Sequence, residues 1–284
     1  MHSLLTAAIP QPPFDAEMPQ RAETVFNIFI FIPLGIGLAI AIRHLLGGKG
    51  PLLLFCILGG AIAACFEPIV DVLGLAYMKE QGATGAFTIF DRTMPLYICF
   101  VYPWYVGGLG YLSFKLFERG IGMKGLFVLW GLDAIVDVFL ETPGIALDTY
   151  LYYGHQPFNI WGLPLWWCFI NPVMPMVAGA LIYKLRPHLD TGWKLAAVIA
   201  IIPMADGIAN GATAWPMWIT LNQSDVAYLW TYLAGFVTLG LSLLSVWIVS
   251  LVVARPEAEL EPETLAGKLR AITFGPKSAA TASR

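Results

Sequence analysis

Seven apolar runs, each about 20 residues or longer, restrict this chain to very few folds. They cover roughly residues 25–46, 52–77, 94–117, 124–147, 163–185, 193–218 and 227–253. About 20 residues of helix cross the hydrocarbon core of a bilayer. In hydrocarbon every backbone N–H and C=O must be bonded within the spanning structure, so runs of this length fold as helices. Only 12% of the 284 residues are charged, against about 25% in ordinary globular domains. These features predict an all-α fold, a polytopic membrane bundle of seven transmembrane helices spanning 25–253. A polar, Pro-rich segment precedes it (1–24), and a polar tail follows (254–284) with at most a short helix near 262–272. Residues 1–24 have no basic stretch before an apolar core, so they do not read as a cleaved signal peptide.

Lys and Arg placement sets the expected orientation, because cytoplasmic loops hold the excess of positive charge. The loops after spans 1, 3 and 5 and the tail carry thirteen, Arg43, Lys49, Lys115 and Arg186 among them. The N-terminal segment and the other loops carry three: Arg21, Lys79 and Arg92. The N-terminus is therefore expected outside and the C-terminus in the cytoplasm of a cell membrane. The net charge of −3 points to no nucleic-acid partner. Cys56, Cys65, Cys99 and Cys168 fall inside spans without metal-type spacing and read as buried thiols.

The apolar runs are interrupted by acids. Glu67 and Asp71 lie in span 2, Asp133, Asp137 and Glu141 in span 4, and Asp206 in span 6, with Asp148 at the end of span 4. A carboxylate in hydrocarbon is costly, and such residues face the bundle interior and mark sites. Desolvation favours the neutral form of a carboxyl group, so acids without basic partners suit proton chemistry. Spacings of four put Glu67 with Asp71, and Asp133 with Asp137 and Glu141, on single helix faces.

The spans also resemble one another. EPIVDVLG, which opens at Glu67, is matched by DAIVDVFL, which opens at Asp133. PLYICFVYP at Pro95 is matched by PLWWCFINP at Pro164, and the same step along the chain carries Asp137 to Asp206. The expectation is a parallel repeat of helix hairpins (spans 2–3, 4–5 and possibly 6–7), each delivering an acid from its first helix. At a helical rise of about 1.5 Å per residue, most of these acids fall in the outer half of the bundle. Asn171, Asn210 and Tyr102 are expected to join them as substrate-binding groups, with Asp71, Asp133, Trp104, Trp166, Trp167 and His155. The two adjacent tryptophans also suit an interfacial aromatic belt. The segment 149–162, aromatic and free of Lys and Arg, suits a lid over the pocket or a stretch lying in the interface. Pro68, Pro143, Pro172 and Pro203 sit beside these polar residues and free backbone carbonyls there.

Three chemistries fit such a pocket: acid/base catalysis, proton relay for transport, and coordination of a hard cation. Asp133, Asp137 and Glu141 resemble the acidic motif of membrane prenyltransferases. Those enzymes, however, need basic residues for diphosphate and a cytoplasmic opening, and neither is expected here. No Lys lies between Lys194 and Lys268, which leaves the seventh span without a Schiff-base amine for retinal. We expect no metal and no cofactor.

Over about residues 25–250, the segments EPIVDVLGLAYM, PLYICFVYPWYVGG and YYGHQPFNIWGLPLWW are similar to the spirocyclase AveC-like family of actinobacterial membrane proteins. The resemblance implies polyketide chemistry, the closure of a spiroketal from a dihydroxy-ketone linked to a dehydration step, and brings no established catalytic residues with it. The resulting expectation is a membrane cyclase or dehydratase for a lipophilic polyketide- or terpenoid-like substrate. Glu67 and Asp137 would form its acid/base pair, and Asp206 and Glu141 would position substrate or stabilise charge. A proton-coupled transporter or small-molecule-binding membrane protein is the alternative.

Overall fold

The computed structural model describes residues 9–189, 192–256, 259 and 264–274; His2 and the chain beyond 274 lie outside the described residues. The protein is mostly helical. The first apolar run forms α1 (Gln20–Leu46), and the second forms α2 (Leu52–Ala63) and α3 (Glu67–Gly74), joined by a 3₁₀ turn at Ala64–Phe66. The third forms α4 (Leu96–Tyr102) and α5 (Leu109–Glu118), with a π-helical stretch at Pro103–Gly108 between them. Next come α6 (Met123–Ala146), α7 (Trp166–Ile170) and α8 (Val173–Leu189). A 3₁₀ stretch at Gly192–Ala197 leads into α9 (Val198–Thr213), followed by α10 (Trp215–Leu221), α11 (Tyr228–Val253) and α12 (Leu265–Phe274).

Among the described residues, five helical stretches are long and apolar enough to cross a membrane: Gln20–Leu46, Leu52–Gly74, Trp166–Leu189, Gly192–Thr213 and Tyr228–Val253. α6 differs because it holds three acids, but its two faces are sharply divided. Leu126, Leu129, Asp133, Asp137 and Leu140 are buried, while Val128, Leu132, Ile135 and Phe139 face outward. That is the 3.6-residue stripe of a helix packed on one side, here with an apolar outer face. α1 and α11 likewise turn Ile28, Ile32, Ile36, Leu233, Phe236 and Leu251 outward.

The expectation of an all-α fold needs correction, because the loops after α3 and α6 form strands. β1 (Ala76–Met78) pairs antiparallel with β4 (Tyr150–Tyr152), Met78 opposite Tyr150 and Ala76 opposite Tyr152. β2 (Gly85–Ile89) and β3 (Arg92–Pro95) make one hairpin, and β5 (Asn159–Ile160) and β6 (Leu163–Pro164) another. Each closes on a two-residue turn held at positive φ, Phe90–Asp91 at 54° and 54° and Trp161–Gly162 at 53° and 91°, the geometry that two-residue hairpins favour. These strands follow a simple need. Apolar loops at a helix end leave backbone donors and acceptors that must be paired once buried.

Tyr77, Met78 and Tyr150 are buried, so the paired strands form a plate over one end of the helices. The N-terminal segment packs on this plate, with the Met18 N–H donating to the Gln81 carbonyl at 2.8 Å and Phe14 edge-on to Tyr77. Arg92 lies 5.2 Å from both of those rings, a cation–π clamp. The basic residues scarce at this end are thus used structurally. Lys79 also bridges Asp148 at 2.6 Å, so Asp148 is a partnered residue at the rim and not one of the unpaired acids.

The opposite half is packed through glycines. A Cβ at Gly60 would stand 2.6 Å from the Tyr102 carbonyl oxygen, one at Gly107 2.8 Å from the Cys56 carbonyl carbon, and one at Gly179 2.7 Å from the Phe114 nitrogen. Small residues let membrane helices approach backbone to backbone, and here they join α2, the π-helical stretch, α5 and α8. α12 docks at this end, where the Lys268 ammonium donates to the Gly120 carbonyl and Leu265 and Leu269 pack on the core.

Candidate active site

Beneath the strand plate lies a cavity of about 70 Å³, lined by Glu67 and Asp71 from α3, Asp137 and Glu141 from α6, and Asn171 and Asn210. Tyr102, Tyr105, Tyr152 and Trp167 supply its aromatic wall. No Lys or Arg is among the described residues that line it. Four carboxyl groups from two helices therefore face one enclosed space.

Helix breaks bring the acids their partners. Tyr102, immediately before Pro103, donates its hydroxyl to Glu67 Oε2 at 2.5 Å. Asn171, immediately before Pro172, donates its side-chain amide to the two carboxylate oxygens of Asp137 at 3.1 and 3.2 Å. Pro103 begins the π-helical stretch and Pro172 separates α7 from α8. In both places the break turns the residue ahead of the proline toward an acid on a preceding helix. Pro68 similarly starts α3 after the 3₁₀ turn, whereas Pro143 and Pro203 stay inside continuous helices.

Glu141 is held from the strand plate. Tyr150 and Tyr152 donate their hydroxyls to Glu141 Oε2 at 2.7 and 2.8 Å. Two residues apart in β4, they lie on the same strand face. That alternation is the sequence signal for two site residues within what otherwise reads as an undivided aromatic loop. The loop is fastened farther along as well. Gln156 donates to the Gly74 carbonyl at 2.9 Å and accepts the Trp166 indole N–H at 3.0 Å.

The polar atoms at the cavity wall that keep no partner among the described residues include Asp71 Oδ2 and Trp167 Nε1, both buried without a hydrogen bond. Buried polar atoms in folded proteins nearly always find partners, so these two are available to a bound molecule. Asp71 is 3% exposed, and its Oδ2 is shut away from water with no neighbour among the described residues to occupy it.

The remaining expected residues divide. Asp206 is fully buried behind the lining and accepts from Asn210 at 2.9 Å, so Asn210 stands between it and the cavity. Asp133 lies one turn toward the basic end of α6, buried but outside the lining. Trp166 is enclosed, stacked on Trp167 with centroids 4.4 Å apart, and acts as packing. Neither tryptophan is an exposed interfacial anchor, since both are buried. Trp104 needs correction as a cavity residue. Tyr102, Tyr105 and Val106 take the inward positions of the turn, and Trp104 points instead into a lateral groove. His155 is corrected too: its ring lies against Tyr228, centroids 3.5 Å apart, and is not part of the cavity lining. Burial there lowers its pKa below the ordinary 6.5.

That groove, about 290 Å³, runs between α1, the π-helical stretch and α6 and is lined by Phe29, Ile32, Pro33, Trp104, Phe139 and Leu140, among others. Leu140 also lines the acid cavity. A single side chain thus borders both the polar site and an apolar channel on the outer face. In comparisons with protein-family models, curated proteins and solved structures, nothing matches this chain.

Proposed function

We propose that the protein is a membrane-embedded acid/base catalyst, a cyclase or dehydratase for a lipophilic substrate. The observation that carries this reading is the set of four carboxyl groups around one cavity with no cation in its lining. In ring closure of a hydroxy-ketone derivative to a ketal, one carboxylic acid donates a proton to the departing hydroxyl, which leaves as water. A carboxylate then removes the proton of the incoming hydroxyl. The positive charge that develops between these steps is stabilised by the second carboxylate and by the aromatic faces of Trp167 and Tyr152.

Asp71, with its free oxygen, is placed to exchange that proton with the substrate. Glu67, one turn away, is its partner, and Asp137 and Glu141 close the opposite wall. The cavity holds a functional group and a few atoms around it, so the bulk of a lipophilic substrate lies in the lateral groove and reaches past Leu140.

The same reading takes α1, α2–α3, α4–α5, α6, α7–α8, α9 and α11 as seven crossings of a cell membrane, with the strand plate outside and the C-terminus in the cytoplasm. It also takes the helix hairpins as repeats, but in a register that differs from the segment match. Glu67 and Asp137 each receive a bond from the residue before a proline, and the pairs Glu67/Asp71, Asp137/Glu141 and Asp206/Asn210 recur at nearly equal intervals along the chain. The transporter reading is less favoured, because it requires access from both ends in turn. Close glycine contacts of α2 with the π-helical stretch and of α5 with α8 support access from one end.

The test compares lipids and metabolites of a deletion strain with those of its parent, seeking an isomer or a mass change of one water. Wild type should restore the profile and Asp71→Asn should not, at equal membrane abundance. Full restoration by Asp71→Asn removes Asp71 from the mechanism, and an unchanged profile in the deletion strain removes the enzymatic reading.

A further inference from the structure

A second cavity, about 130 Å³, lies at the opposite, basic end of the bundle, away from all the acids described above. It is lined by Lys49 from the α1–α2 loop, Tyr111, Lys115 and Glu118 from α5, Arg186 from α8 and Leu195 from the 3₁₀ stretch, with Leu52 and Phe114 at its apolar side. Its volume is roughly ten times the ~10–15 Å³ that one water needs. Three cations face one carboxylate, and Glu118 is already engaged by the Lys115 ammonium. Arg186 Nη1 is buried and has no acceptor among the described residues. A guanidinium N–H without an acceptor is costly, and the cavity leaves room for a ligand to supply one.

We infer that this cavity binds a phosphate group, that of an anionic phospholipid headgroup. Phosphate offers several charged acceptor oxygens and matches the planar donor fork of Arg. Basic pockets between helices at the cytoplasmic face are where headgroups are held. The apolar side formed by Leu52 and Phe114 suits the first carbons of a lipid. Inorganic phosphate shares the headgroup's chemistry and lacks those carbons.

The experiment measures lipid retention on the purified full chain by native mass spectrometry, with phosphatidylglycerol against phosphatidylcholine, and separately titrates inorganic phosphate while following thermal unfolding. Phosphatidylglycerol should be retained in preference, and Arg186→Gln should weaken retention about tenfold, the loss expected for a charge-assisted hydrogen bond. Lys184→Gln removes a charge from an exposed site outside the lining and should leave retention unchanged. Lys49→Gln, on an exposed loop, should reproduce the loss even if Arg186→Gln does not fold. Saturable stabilisation by inorganic phosphate that Arg186→Gln abolishes, with no lipid preference, keeps the phosphate site and assigns it to the free anion. Equal losses in Arg186→Gln and Lys184→Gln, or no binding in either assay, overturn the inference.

Discussion

Gly107→Ala tests whether the cavity is sealed from the basic end. The new Cβ would overlap the Cys56 carbonyl oxygen and stand 2.8 Å from its carbonyl carbon and 3.1 Å from the Ile57 Cα. All three are backbone atoms, so no rotamer change relieves the clash. Carbon atoms in contact normally sit about 3.5–4.0 Å apart, so α2 and the π-helical stretch must separate by about 1 Å. Overpacking of this kind costs about 1–3 kcal/mol, which for a chain of this size lowers Tm by roughly 2–10 °C. Gly131 lies in α6 with nothing within 4 Å of its hypothetical Cβ. Gly131→Ala should therefore raise Tm slightly, because alanine is favoured over glycine in a helix by about 0.5–1 kcal/mol. The assay is thermal unfolding in lipid nanodiscs by circular dichroism, paired with maleimide labelling of Cys56, whose thiol is fully buried. In Gly107→Ala, labelling from the basic side should rise as the contact opens. If Gly107→Ala matches Gly131→Ala in both Tm and labelling, the close packing, and the one-sided access argued from it, is wrong.

Tyr102→Phe and Glu67→Gln should each destabilise, and their double-mutant cycle should give a coupling of about 1–2 kcal/mol, between the average for membrane hydrogen bonds and the value for charged ones; additivity of the two would mean that the 2.5 Å bond contributes nothing. Leu140→Trp should block passage between groove and cavity and abolish complementation of the deletion strain at equal membrane abundance, whereas full complementation would refute the lateral route. The lowered pKa of His155 means that folding favours its neutral form. Its contribution is therefore present above the ordinary 6.5 and is lost as pH falls toward the lowered value. Hydrogen exchange in residues 153–158 should rise as the pH falls below 6.5, and His155→Phe should remove that dependence.

Residue chemistry alone announces much of the site. Glu67, Asp71, Asp137, Glu141, Asn171, Asn210, Tyr102 and Trp167 all line one cavity, because a polar group in an apolar helix has only the interior to face. Rotational phase is harder to read. Trp104 is expected beside Tyr102, yet two residues along a helix are about 200° apart, which sends it to the other side. Asp133 matches Glu67 by its surrounding letters, while the hydrogen bonds pair Glu67 with Tyr102 and Asp137 with Asn171. Letters around an acid report its neighbours along the chain, and a 3₁₀ or π turn upstream shifts which neighbour faces the core.

Hydropathy and charge along the chain suffice for the mostly helical, membrane-type character, the two chemically distinct ends and the supply of unpaired acids. All three are sums over local windows, and no distant contact alters them. Docking of the segments, in contrast, makes β1 and β4 close the cavity, lets Tyr150 and Tyr152 hold Glu141, and, among the described residues, leaves Asp71 a free oxygen and Arg186 without an acceptor. Each of these depends on a contact between separate elements, or on the absence of one. How helices and strands dock and rotate against one another sets such contacts, and a local window of residues carries no record of it.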